Sequence, residues 1–333
     1  MPMAENPENR QYWYALRVTY GREMLVKGYL DGIGVETPAI NLVHEEAKAL
    51  LGDKVHARFG TEFPIRFDFL DTIGGGNLSL QVHPLTEYIQ DTFGMHYTQD
   101  ESYYILDAAE NADTHVYLGC KTGIQPEEFQ KALEDSQQTG QFDAERFVNI
   151  IPAKKHDHFL IPAGTIHCSG RDCMVLEISA TPYIFTFKLW DWGRLGLDGR
   201  PRPIHLAHGM KNIQFDRDTE WVQKNLVNRV EVIHEEDGIR EERTGLHERE
   251  FIETRRHWFD RKVEHETGGS VNVLNLVEGE EAVVESPEGK FAPFVVHYAE
   301  TFIVPAAVGR YTVAPYGKSI GKNLATVKAF VRV

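Results

Sequence analysis

The stretch Leu78-Ser79-Leu80-Gln81-Val82-His83-Pro84 decides the fold of this chain. Alternate residues of a strand share a face, so Gln81 and His83 point the same way. Two later segments offer side chains of matching chemistry. Glu101 opens the strand-like run Glu101-Ser102-Tyr103-Tyr104-Ile105-Leu106, and His167 ends Pro162-Ala163-Gly164-Thr165-Ile166-His167. Two oxygen donors and two imidazoles suit Zn²⁺ and other borderline divalent ions. Singly, each is an ordinary strand residue; a lone strand histidine is more often a hydrogen-bonded core or surface group. Together they give two co-directed ligands, a later strand carboxylate and a histidine on a Pro-Gly turn, as a metal site inside a β-barrel requires.

The flanking sequence supports a β framework. Phe63 to Leu70 alternates apolar and polar residues near its end, which predicts a strand, and Gly74-Gly75-Gly76-Asn77 is then a flexible turn. A phosphate cradle would need a helix after those glycines, and a strand follows. Pro38 to Leu51 has the apolar spacing of a short amphipathic helix. Pro126 to Leu133 starts another helix, with Pro in its first turn and Glu127 and Glu128 near its positive end. Asp143 to Val148 reads as a second, so a helical insertion sits near 125–148. Val116 to Leu118, Ile150-Ile151, Phe159 to Ile161, Val175 to Ile178 and Ile184 to Trp190 read as strands. His208 to Glu253 is highly charged and predicts a solvated connection. From Phe259 to Val333 short strands alternate with Gly and Pro turns, a β-sandwich pattern. His265 and His297 lie there without a recognisable ligand set.

Composition narrows the function classes. The 333 residues carry 35 Lys and Arg against 50 Asp and Glu, a net charge of −15. That balance argues against nucleic-acid or anionic-membrane partners, which need basic patches. It also obliges any anionic substrate to find local cations. No apolar run reaches the ~18 residues of a membrane span, and Met1 to Arg10 lacks the basic start and apolar middle of a signal peptide. The cysteines, Cys120, Cys168 and Cys173, form no CxxC pair and are odd in number, which predicts free thiols in a reducing cytoplasm.

Three stretches, Asn77 to Pro84, Asp100 to Leu106 and Phe159 to Glu177, resemble in order and spacing the class I phosphomannose isomerases, which are zinc cupins. A looser likeness covers Phe63 to Asp71, Thr186 to Arg194 and Gly199 to His205. Phe302-Ile303-Val304-Pro305-Ala306 looks like the family's second cupin half, while the first ~55 residues match poorly. The resemblance implies a mostly β bicupin: two jelly-roll halves with a small helical insertion, a metal-binding domain over 1–215 and a second cupin-like domain over 216–333.

The resemblance also implies a reaction, the interconversion of mannose 6-phosphate and fructose 6-phosphate through a cis-enediol. Zn²⁺ or another divalent ion would be held by Gln81, His83, Glu101 and His167. Ser79 matches a serine that helps hold the phosphate. Glu177 matches a carboxylate facing the site and is the leading base. Lys188 stands where the family usually has arginine, keeping the charge without the bidentate fork. Tyr103, two residues from Glu101, and Trp190, two from Lys188, are expected aromatic walls, and Arg194 a substrate-binding cation. Two positions depart from the pattern: Gln99 and Asp68 occupy places where the family has lysines. Mannose 6-phosphate is therefore expected to be a weaker substrate here, unless Arg194, Arg200 or Arg202 compensates. Arg66 is the poorer compensator because it shares a face with Asp68. Two other readings share the fold: a relative acting on an unphosphorylated sugar, and a non-catalytic bicupin braced by its metal.

Overall fold

Antiparallel strands dominate the computed structural model, which describes residues 16–19, 25–30, 33–110, 112–180, 185–245 and 250–333. Met1 to Arg10 and Ile184, read above from sequence, lie outside the described residues. The chain divides into two compact β units. Among described residues, one unit holds Arg66–Arg229 with Glu250; the other holds those up to Ile65 with Val230–Gly245 and Phe251–Val333. This is not a division at 215. The strand Leu16–Thr19 pairs with Thr301–Val304, which carries the early residues into the second unit.

The Arg66–Arg229 unit is built from two sheets. The five-stranded sheet runs in the order Phe187–Trp190, Leu80–Val82, His167–Ser169, His115–Cys120, Val148–Pro152. The four-stranded sheet runs Arg66–Asp71, Cys173–Ala180, Asp100–Ala108, His158–Ile161. The expected insertion forms two helices, Pro126–Thr139 and Ala144–Phe147. Their buried Phe129, Leu133 and Phe147 pack with Leu80, Val82, Cys168, Phe187 and Trp190 in one apolar cluster. The helices thus cover one face of the five-stranded sheet. Period-2 alternation then sends Gln81 and His83 to the other face.

The second unit has a nine-stranded and a four-stranded sheet around its own core, which includes Phe259, Leu274, Phe302 and Tyr311. Two expectations are corrected here. The helix over Pro38 to Leu51 breaks at Glu46 into Ala39–Glu45 and Ala47–Leu51, both with buried leucines. The charged segment to Glu253 is no mere connection. It holds the helix Thr219–Asn225 and the hairpin Glu231–Glu236 with Ile239–Arg243, at the edge of the nine-stranded sheet. Opposite charges face each other across the strands, Glu231 with Arg243 at 2.9 Å and Glu242 with Arg256 at 2.6 Å. Such pairs stabilise an exposed edge strand. Among the described residues no helix is long and apolar enough to cross a membrane.

Buried polar groups line part of the second unit's interior. His257 Nε2 lies 3.0 Å from Glu241 Oε1, and Arg255 reaches the same oxygen at 2.8 Å. The His257 and His265 rings meet at 4.5 Å, and Lys328 Nζ lies 3.5 Å from His265 Nδ1. Burial, with help from Lys328 and Arg255, pushes His257 down to about 4, and burial with His257 and Lys328 pushes His265 well below its usual value. The folded chain therefore binds fewer protons here than the unfolded chain below pH 6.5. Stability is full above that pH and lost as pH falls toward 4, by about 3 kcal/mol from His257 alone. The melting temperature should drop over that window, and His257→Gln should flatten the drop. A profile of unchanged slope in the variant would remove His257 as its source.

Candidate metal and active site

The site begins with a buried carboxylate. Glu101 is fully buried near the start of Asp100–Ala108 and faces the inside of the unit. Its Oε1 lies 3.0 Å from His167 Nε2 and its Oε2 3.2 Å from His83 Nε2. Burial alone would raise its pKa; the imidazoles of His83 and His167 outweigh that and hold it well below the usual carboxylate range. Burial likewise opposes charging of His83, but Glu101 prevails and its pKa is raised.

Each histidine is fixed from behind. His83 Nδ1 donates to the Phe185 carbonyl at 2.8 Å, and His167 Nδ1 to the Thr165 carbonyl at 2.9 Å. Carbonyls only accept, so both Nδ1 atoms carry protons and both Nε2 atoms face the carboxylate. This is how metal-ligating histidines are oriented. The Pro-Gly turn adds a brace: Gly164 N–H donates to the His83 carbonyl at 2.9 Å. Gly164 has φ +83°, and a Cβ there would come within 2.9 Å of the Asn212 carbonyl oxygen, so only glycine fits.

The residues present suit a metal ion. Ligand atoms of His83, Glu101 and His167 lie within 4.8 Å of one another, the one such group among the described residues. His83 Nε2 and Glu101 Oε1 are buried without a well-directed hydrogen bond, although each lies close to a neighbour. A cation placed at a point among these three side chains would meet a donor atom from each. Gln81 stands opposite His167 in the ladder, and its amide nitrogen lies 3.1 Å from His167 Nε2. Amide nitrogen and oxygen are interchangeable by rotation, so Gln81 can offer oxygen to the same point.

The neighbouring face carries further polar groups. Glu177 pairs across the sheet with Asp68 on one side and Tyr103 on the other. Ser179 Oγ donates to Glu177 Oε1 at 3.0 Å and Arg66 to the same oxygen at 3.2 Å, leaving Oε2 open. Burial first, then the nearby Glu101 charge, raises Glu177 to about 8. Arg66 also bonds Asp68. The shared face that made Arg66 a poor compensator is what lets it neutralise Asp68. Gln99, read above as standing in the place of a family lysine, donates to Glu101 Oε2 at 2.9 Å and accepts from the Phe185 N–H at 2.8 Å. Its place two residues before Glu101 was the available signal.

The remaining sequence candidates separate. The Tyr103 ring lies 6.0 Å from that of His167, and burial, then Glu101, holds its hydroxyl well above its ordinary pKa. Ser79 Oγ donates to Gln81 Oε1 at 3.4 Å. Lys188 pairs with Gln81 across the ladder and so shares its face. Trp190 does not. A β-bulge between Lys188 and Trp190 sets Trp190 opposite Leu80, and its ring packs 5.9 Å from Phe142 in the helix-side core. The extra residue reverses the two-residue rule. Arg194 bonds Asp191 at 2.9 Å, and Arg200 is exposed.

No family model matches the chain. It is 28% identical over 155 residues to the mannose-6-phosphate isomerase ManA of Bacillus subtilis (strain 168), covering 46% of this chain and 45% of that protein. It is 26% identical over 200 residues to the mannose-6-phosphate isomerase of Streptococcus mutans, 60% of this chain and 56% of that one. The matched stretch spans about half the length of these curated relatives. The crystal structure of the Bacillus subtilis mannose 6-phosphate isomerase superposes with a TM-score of 0.70 at 18% identity, over 94% of this chain and 88% of that one. The cupin fold is thereby established over nearly the whole chain.

Three measurements test the metal reading. Adding Zn²⁺ to metal-stripped protein should raise its melting temperature, since a ligand of the native state stabilises it. His83→Ala should lose most of the bound metal by elemental analysis, and Gln99→Leu should weaken affinity roughly tenfold by releasing Glu101. Full occupancy in the His83 variant would remove that residue from the ligand set.

Proposed function

We propose that this chain, which belongs with the mannose-6-phosphate isomerases, is a zinc-dependent aldose–ketose isomerase that interconverts mannose 6-phosphate and fructose 6-phosphate. One observation carries the reading: a buried, convergent His83–Glu101–His167 set beside a buried carboxyl, Glu177, whose pKa lies near the working range of an acid–base catalyst.

Gln81, His83, Glu101 and His167 would hold the ion. When bound, it supplies a Lewis acid that polarises the sugar carbonyl. The protein's own residues do the rest. Glu177 takes the proton from C2 and returns one to C1, with Oε2 open and Oε1 fixed by Ser179 and Arg66. Tyr103 walls the site beside His167. Lys188, on the face of Gln81, brings positive charge to the sugar, and Ser79 and Arg194 help hold its phosphate. The three cysteines are free and buried, in keeping with a reducing cytoplasm, where we place the enzyme.

The test is turnover of mannose 6-phosphate by metal-replete protein. Glu177→Gln should lower kcat roughly a hundredfold or more with metal content unchanged. A base works deprotonated, so activity should rise with pH through the Glu177 pKa and be lost below it. A cation beside Glu101 offsets that carboxylate, which places the limb below about 8. Absence of hexose-phosphate isomerisation in folded, fully loaded protein would sink the proposal. So would a Glu177→Gln variant of normal kcat, as far as the base is concerned.

A further inference from the structure

We infer that Asp191 organises Lys188, Arg194 and Arg202 into a receptor for the phosphate dianion of the sugar, doing the work for which Asp68 and Gln99 carry no positive charge. This rests on the isomerase reading above and adds the residues that select a phosphorylated substrate.

Three cations converge on one carboxylate. Lys188 Nζ lies 3.2 Å from Asp191 Oδ2, Arg202 Nη1 3.3 Å from the same oxygen, and Arg194 Nη1 2.9 Å from Oδ1. Asp191's side chain is 5% exposed, while those of the cations are 27%, 48% and 35% exposed. The anion is therefore inside and the positive heads outside. Three positive charges over one negative leave a local surplus of two, in a chain whose net charge is −15. A phosphate monoester carries ≈ −1.5 to −2 at neutral pH. Each guanidinium has five donors and the ammonium three, so most remain available.

The backbone is bent to build this cluster. Asp191-Trp192-Gly193-Arg194 is a tight turn in which Arg194 N–H donates to the Asp191 carbonyl at 3.0 Å. Both central residues have positive φ, +55° at Trp192 and +68° at Gly193. The first is costly for a tryptophan. It is held by the indole N–H, which donates to the Leu78 carbonyl at 2.5 Å, and by the Tyr117 ring at 5.2 Å. Strain of this kind persists where the surroundings impose it, and it gathers at functional sites. The turn brings Arg194 back over Asp191. A small hairpin follows, in which Arg202 N–H donates to the Arg194 carbonyl at 3.0 Å and sets the two arginines side by side.

The cluster adjoins the metal-side residues. Lys188 lies opposite Gln81 in the ladder, and Arg194 also bonds the Asn77 carbonyl, two residues before Ser79. Gly76 leaves the arginine room, since a Cβ there would come within 3.0 Å of its Nη2. The Ser79 hydroxyl and the three cations thus border one region at the end of the Leu80–Val82 strand. Asp191 acts as a positioning residue: it does not bind the substrate but holds those that do.

Metal-loaded protein and four variants test this with two readouts. In steady-state kinetics, Arg202→Gln and Arg194→Gln should each raise KM for mannose 6-phosphate about tenfold or more, with kcat changed far less, because a charge-assisted bond to a non-reacting group is lost. Arg202→Lys should recover part of the loss. Asp191→Asn should also raise KM. Charge alone predicts the opposite, since removing a negative charge would tighten phosphate binding. In thermal denaturation, inorganic phosphate should raise the melting temperature of the wild type, and that shift should vanish in Arg202→Gln, whose half-exposed side chain is removable without unfolding. An unaltered KM and an unaltered phosphate shift in both arginine variants would overturn the receptor. A phosphate shift that depends on these arginines, in a protein that isomerises no hexose phosphate, would keep the receptor and overturn the isomerase reading instead.

Discussion

The Glu101 carboxylate is the constraint on which the rest of this site depends. A carboxylate removed from water costs several kcal/mol unless neighbours offset it. Here His167 approaches from the five-stranded sheet, His83 from just past its Leu80–Val82 strand and Gln99 from just before Asp100–Ala108, so one buried charge ties two inner sheet faces together. The histidines can serve only because their far nitrogens are held by the Phe185 and Thr165 carbonyls. Those carbonyls lie just before Phe187–Trp190 and His167–Ser169, two strands of the five-stranded sheet, and Gly164 locks the second of these approaches to His83. The charge also reaches outward. Glu177, buried on the adjoining face, is raised by burial and then by Glu101, which sets it apart from an ordinary strand glutamate.

The candidate metal donors are legible in the sequence because strand alternation and ligand chemistry are both local. Gln81 and His83 share a face by period alone, and the carboxylate and second imidazole differ chemically from their apolar surroundings. The same alternation misplaced Trp190, because a single bulged residue between it and Lys188 reverses the facing and no composition signal marks that bulge. The charged segment before Glu253 was misread for a different reason. Its alternation is of charge rather than of hydrophobicity, so it looks solvated until the partner strands are in view. The turn signal was present: Asp237-Gly238 separates the two strands, and Asp-Gly is a favoured hairpin dipeptide.

Charge read position by position leaves out the partner that each side chain finds in the fold. Asp68 and Gln99 look like two lost cations, yet neither meets the site as the bare sequence suggests. Asp68 is bonded by Arg66, and Gln99 spends its amide on Glu101 and the Phe185 N–H. A lysine at 99 would sit against the very carboxylate that the two histidines need. Positive charge is supplied elsewhere, by side chains that a turn of unusual backbone and a short hairpin bring onto Asp191. Such convergence between residues far from Asp68 and Gln99 has no periodicity to announce it.

The second β unit shows what a buried histidine pair does without a central carboxylate. His257 and His265 are as buried as His83 and His167, and they sit on comparable strands. Their surroundings are reversed. Lys328 lies against His265, Arg255 shares Glu241 with His257, and Glu241 is drawn to the arginine rather than placed between the rings. Burial and these cations push both imidazoles toward neutrality, and the same positive charges oppose an incoming metal ion. In the first unit a carboxylate stands between two imidazoles whose protons are turned away, so a cation is welcome at the centre. The two units share a double-sheet framework; one carboxylate facing both imidazoles marks the candidate metal centre, and a lysine set against one of the rings marks the structural polar core.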